Sequence, residues 1–131
     1  MSAIAQAPEV PTLILEPTVH APKIARDFVA KCFCDLGIAD DYPGRTVVSE
    51  LVTNVCEHVQ TGHIVVRVIE SENRSVLIEI WDQGEGMPVL CEAGENAGSG
   101  RGLFLISMLV RDWGVRPISE GGKIVWAELD R

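Results

Sequence analysis

The sequence predicts an α+β two-layer sandwich, a mixed and mostly antiparallel sheet with helices on one face. Three observations carry this. Two segments in the first half repeat apolar residues at helical spacing. Four later segments alternate or cluster β-branched and aromatic residues between turn signals. Their order, β-α-α-β-β-loop-α-β-β, brings strands together in hairpins and leaves the helices to cover one side.

Residues Met1 to Val10 are small and carry a proline, and read as a flexible tail, so that 1–10 is set apart from a single domain over 11–131. Thr12 to Glu16 reads as a short strand stopped by Pro17. Pro22 suits a helix start. Ile24, Ala25, Phe28, Val29, Cys32, Phe33 and Leu36 then recur at helical spacing, and Gly37 ends the run. A second helix is expected from Pro43 to Val59, before Gly62. His63 to Glu70 and Ser75 to Asp82 read as strands joined by the turn Ser71-Glu72-Asn73-Arg74. Asp82 to Gly100 is rich in glycine and acids and reads as a loop, followed by a third helix over Arg101 to Arg111. Trp113 to Pro117 and Lys123 to Leu129 close the chain as a hairpin around Glu120-Gly121-Gly122.

The 131 residues fit one domain, and 47% hydrophobic against 23% charged residues is an ordinary globular balance. No apolar run reaches the roughly 18–20 residues that span a bilayer, and no basic start precedes an apolar stretch, so a cytoplasmic protein without membrane or secretory segment is expected. The net charge of −8 disfavours direct binding to nucleic acid. A small polyanion stays open as a ligand, because backbone N–H groups and a metal ion can hold a phosphate. Cys32, Cys34, Cys56 and Cys91 form no CxxC pair and read as reduced thiols, mostly buried.

The second helix carries the most chemical information. With Glu50 at 0° and about 100° per residue, Leu51, Val55, Val48, Val59 and Val52 fall in an arc of about 100–200°, an apolar stripe facing a core. Glu50, Asn54 and Glu57 form a polar ridge, with His58 at its border. A solvated face is the competing reading. Asp82 shares side-chain parity with Val76, Ile78 and Ile80, so a carboxylate ends a strand on its apolar face. It needs a donor there; a ligand is one source, and a turn folding back on Gly84 is the other. Asp82-Gln83-Gly84-Glu85-Gly86-Met87-Pro88 and Gly98-Ser99-Gly100-Arg101-Gly102-Leu103 are glycine-spaced. The second run opens a helix, whose free N–H groups make a natural phosphate seat, although loop glycines are commonly plain turns. Neither run is a Walker A loop, and neither fits a dinucleotide fingerprint.

The order of these features, E-x-x-x-N on a helix, a strand ending in D-x-G-x-G, then G-x-G-x-G-L opening a helix, resembles the GHKL (histidine kinase-like) ATPase superfamily. Ser49-Glu50-Leu51-Val52-Thr53-Asn54 with His58, and Gly122-Lys123 with Val125-Trp126-Ala127-Glu128-Leu129, are similar to its small stand-alone anti-sigma-factor serine kinases of actinobacterial type. The resemblance runs from about Leu13 to Leu129. It implies the Bergerat ATP-binding fold, ATP and Mg²⁺ as cofactors, and a protein serine/threonine kinase that phosphorylates an anti-sigma-factor antagonist. The alternative is a non-catalytic, nucleotide-gated module that sequesters a regulatory partner. It further implies a sigma factor or a STAS-type antagonist as partner, and a homodimer as one form of the chain.

Residue by residue, the resemblance makes Asn54 the Mg²⁺ ligand, Glu50 the general base and Asp82 the acceptor for the adenine amino group. Gly84, Gly86 and Met87 would line the adenine side. Gly98, Ser99, Gly100, Arg101, Gly102 and Leu103 would hold the phosphates. His58 matches a position commonly histidine in this branch, with phosphate contact and packing both open and packing the expected role. Two departures stand out. The loop Met87 to Ala97 is short and carries Glu92 and Glu95, and Gly122-Lys123-Ile124-Val125 offers no threonine hydroxyl to the adenine pocket.

Overall fold

Proline and glycine punctuation sets the helix limits. The computed structural model describes residues 10–59, 62–72, 74–83, 106–119 and 121–131. Helix α1 spans Ala21–Asp35, with Pro22 in its first turn, where a missing N–H costs nothing. It ends at Gly37, whose φ of +76° suits only glycine well. The Gly37 N–H donates to the Cys34 carbonyl at 3.0 Å and the Ile38 N–H to the Phe33 carbonyl at 2.9 Å. This is the Schellman pattern that satisfies the last carbonyls of a helix. Helix α2 spans Tyr42–His58 and also carries its proline in the first turn. Both helices keep the expected boundaries to within a residue or two.

The strands are β1 (Thr12–Leu15), β2 (Ile64–Ser71), β3 (Ser75–Asp82), β4 (Asp112–Pro117) and β5 (Lys123–Asp130). They form a five-stranded sheet in the order β1-β2-β3-β5-β4, and every described pairing is antiparallel. The β2–β3 connection turns at Arg74, which takes a φ of +55°. In the region expected to hold a third helix, residues 106–109 are helical; 101–105 lie outside the described residues. The glycine-rich loop and the tail 1–9 lie outside them as well.

The core fills the space between the helices and one sheet face. Val29 and Phe33 of α1 and Val47, Val48, Leu51, Val52 and Val55 of α2 meet Val66 and Val68, Val76, Ile78 and Ile80, and Val125, Ala127 and Leu129. Residues of this kind stabilise by roughly 1.5–3 kcal/mol each when fully buried. Strict parity on β3 and β5 sends Leu77, Glu79 and Trp81, with Ile124, Trp126 and Glu128, to the opposite face. Gly44 lets the helices touch: a Cβ there would lie 2.6 Å from the Phe33 ring.

The cysteines do not all follow the buried expectation. Cys32 is buried, Cys56 intermediate and Cys34 exposed. Two positions along a helix turn the chain through about 200°, so only one of Cys32 and Cys34 can face the core. Cys91 lies outside the described residues. Among the described residues, no helix is long and apolar enough to cross a membrane.

Candidate functional site

Helix α2 places two of the predicted site residues one turn apart. Asn54 is buried at 8% exposure, and Glu50 is half-buried. The Asn54 Oδ1 atom has no hydrogen-bond partner among the described residues. A buried amide oxygen without a partner is costly, by about 1–3 kcal/mol, and native folds seldom leave one unexplained. Helix geometry puts Asn54 close to Val47, at about 40° and 60° on the wheel. Both are buried, so the buried arc reaches further round the helix than the apolar stripe alone suggests.

The remaining ridge residues behave differently. Glu57 and His58 are exposed. The packing expected of His58 is therefore not what the structure shows, although Val55 and Val59 beside it do pack on the core. Ser49, next to Glu50, accepts a hydrogen bond from Arg26 Nη1 of α1 at 2.8 Å, which ties the two helices beside the site.

Asp82 closes β3 with no exposed surface, on the helix-facing side, as its parity predicts. The donor that its carboxylate requires comes from within the chain: Lys123 Nζ lies 3.0 Å from Asp82 Oδ1. The turn that would fold Asp82 back on Gly84 lies outside the described residues. Lys123 is the register partner of Asp82 across β3 and β5 and is itself buried at 8% exposure. Its approach depends on Gly122, which has a φ of +91° and packs directly on the Asp82 backbone carbonyl, where no side chain fits. Sequence reasoning missed Lys123 as a site residue. The signal was there: Lys123 shares parity with Val125, Ala127 and Leu129, all buried.

The α2–β2 connection brings the helix end to this same end of the sheet. Gly62, at φ +87°, sits against the Gln83 side chain, immediately after Asp82. The start of β2 pairs with the end of β3 through Val65 and Trp81. Asn54, one turn before the end of α2, and Asp82 are thus carried to one end of the two-layer structure. A cavity of about 750 Å³ lined by Gly37, Asp40, Pro43, Arg74 and Arg131 lies at the other end, by the β2–β3 turn, and plays no part in this site.

Gly84, Gly86, Met87, Gly98, Ser99, Gly100, Arg101, Gly102 and Leu103 lie outside the described residues. Among the described residues no group of three or more His, Cys, Asp or Glu side chains is placed to hold a metal. Magnesium does not require one, since it keeps several waters and takes one or two protein oxygens plus substrate phosphates. The orphaned Asn54 oxygen fits that demand.

No curated protein matches the chain. A solved structure, that of the RsbU and RsbW domains of Rv1364c from Mycobacterium tuberculosis, superposes with a TM-score of 0.65 at 22% identity, over 95% of this chain and 33% of the other. The chain thus spans about a third of that protein's chain, and the likeness is one of fold. The model of the histidine kinase-like ATPase domain matches residues 16–129, nearly the whole sequence, and includes the helix and strands that carry Glu50, Asn54, Asp82 and Lys123. The chain belongs to the histidine kinase-like ATPase domain family.

Proposed function

We propose that the chain is a Mg²⁺·ATP-dependent protein serine/threonine kinase, and that it phosphorylates a serine of an anti-sigma-factor antagonist of STAS type. The single observation that supports it most is the buried Oδ1 of Asn54, unpartnered among the described residues and one turn from a half-buried carboxylate, in a histidine kinase-like ATPase domain. The choice of antagonist rests on the likeness of Ser49 to Asn54 and of the last strand to anti-sigma-factor serine kinases.

In this reading Asn54 supplies the protein ligand to Mg²⁺. The ion, when bound, neutralises phosphate charge and holds the terminal phosphoryl group in orientation. Asp82 takes the amino group of the adenine. Gly98 to Gly102, which the sequence pattern expects to open a helix, would present backbone N–H groups to the phosphates. Glu50 accepts the proton of the acceptor serine as its oxygen bonds to the γ-phosphorus, and ADP departs with the bridging oxygen. Positioning and electrostatics do most of the work in such transfers.

Transfer of label from γ-labelled ATP to a cognate antagonist, with Mg²⁺ present, tests this. Glu50→Gln should lower the transfer rate by about 10²-fold or more and leave ATP affinity unchanged. A folded wild-type protein that transfers nothing contradicts the kinase reading. Partner control that survives Glu50→Gln supports the alternative, a nucleotide-gated module that sequesters its partner.

A further inference from the structure

The base end of the site holds a residue with no assigned role. Lys123 is buried to nine-tenths along its side chain, and its ammonium carries three donors. Among the described residues it makes one hydrogen bond, to Asp82 Oδ1 at 3.0 Å. Two N–H groups of a buried cation are left to find acceptors. A buried lysine is expensive, and neutralising Asp82 does not by itself account for it. A well-packed neutral pair serves a core at least as well as a buried ion pair, and often better. Its placement is also specific: Gly122 holds the chain against the Asp82 carbonyl, and register sets Lys123 opposite Asp82.

We propose that Lys123 is a nucleobase-specificity residue, donating a hydrogen bond to a ring nitrogen of the purine beside the amine that Asp82 accepts. The inference rests on the nucleotide-binding reading above. Its chemistry follows from polarity. A carboxylate accepts and an ammonium donates, and Nζ stands one hydrogen bond away from the carboxylate oxygen. Adenine presents the complementary pair: an exocyclic N–H donor flanked by N1 and N7, both acceptors. A hydroxyl at position 123 could turn either way, whereas the ammonium can only donate. The pair therefore reads a donor and an acceptor side by side, with fixed polarity.

The test compares equilibrium binding of Mg²⁺·ATP with that of its 1-deaza and 7-deaza analogues, each lacking one ring acceptor. Wild-type protein should bind one of the two analogues about tenfold more weakly than ATP. Lys123→Met should lose about the same factor for ATP and bind ATP and that analogue within twofold of each other. Lys123→Arg, which keeps the donor, should restore the preference. Equal wild-type affinity for all three nucleotides overturns the proposal, and so does a Lys123→Met variant that binds ATP more tightly, since the lysine would then be a plug. The wild-type comparison stands even if a variant fails to fold. Absence of any ATP binding by folded wild-type protein, with Asn54→Ala unchanged, overturns the nucleotide reading itself, whereas ATP binding without analogue discrimination overturns only the role of Lys123.

Discussion

Asp82 and Lys123 show how a single pairing alters what a residue means. The strand alternation from Ser75 to Asp82 places the carboxylate on the buried face, and the structure agrees. The pattern along one strand cannot name the cross-strand partner, because that depends on the register of β3 against β5. The buried parity of Lys123 was legible in the alternation of the last strand. Its meeting with Asp82 was not. Removing one member of a buried pair leaves the other charged and poorly solvated. Lys123→Met in the nucleotide-free protein should therefore lower unfolding stability by about 3 kcal/mol, read by urea denaturation. Adding Asp82→Asn should recover most of that loss. A single variant as stable as wild type would show that the pair is not desolvated as the structure has it.

Helices and strands were the most legible features. Proline at each helix start, Gly37 at the end of α1 and the 71–74 turn marked boundaries within a residue or two. The helical wheel of α2 located the apolar stripe but stopped short at Asn54. Burial there is set by tertiary packing, and not by the hydrophobicity of the residue. For His58 the same geometry worked in reverse, leaving it in solvent. The closeness of α1 and α2 was likewise invisible until the structure placed Gly44 against the Phe33 ring. Gly44→Ala gains about 1 kcal/mol of helix propensity. It also drives a methyl group to within 2.6 Å of a rigid aromatic ring, an overpacking that typically costs 1–3 kcal/mol. The steric term should win, and thermal unfolding should shift down by a few degrees. An unchanged or raised midpoint would mean that the helices separate at little cost.

Across the molecule, titration of the thiols links packing to pH. Burial raises the Cys32 thiol above its ordinary value, with the nearby Asp35 carboxylate adding to it; burial, then Glu57, does the same to Cys56. A raised value in the folded state means that the fold keeps a proton which the unfolded chain has already released. The contribution to stability is complete below the ordinary thiol range, near pH 8.5, and is lost as pH rises through the folded values. Stability should accordingly decline above about pH 9, and Cys32→Ser/Cys56→Ser should flatten that decline. Alkylation at pH 8 should mark exposed Cys34 before buried Cys32, as peptide mapping would show. Simultaneous labelling of both would mean that α1 opens on the timescale of the reaction.

The fold carries the buried Asn54 amide, proposed to hold Mg²⁺, and the buried Asp82 carboxylate, proposed to read the base, to one end of a two-layer structure. Calorimetric titration of the whole chain with ATP, with and without Mg²⁺, and of Asn54→Ala alongside, tests that arrangement most directly. The account predicts saturable, one-to-one binding to the wild-type chain that weakens at least tenfold without Mg²⁺, and a variant that is folded yet indifferent to the ion. Binding that ignores Mg²⁺ in both proteins, or no binding by a folded wild-type chain, would contradict it.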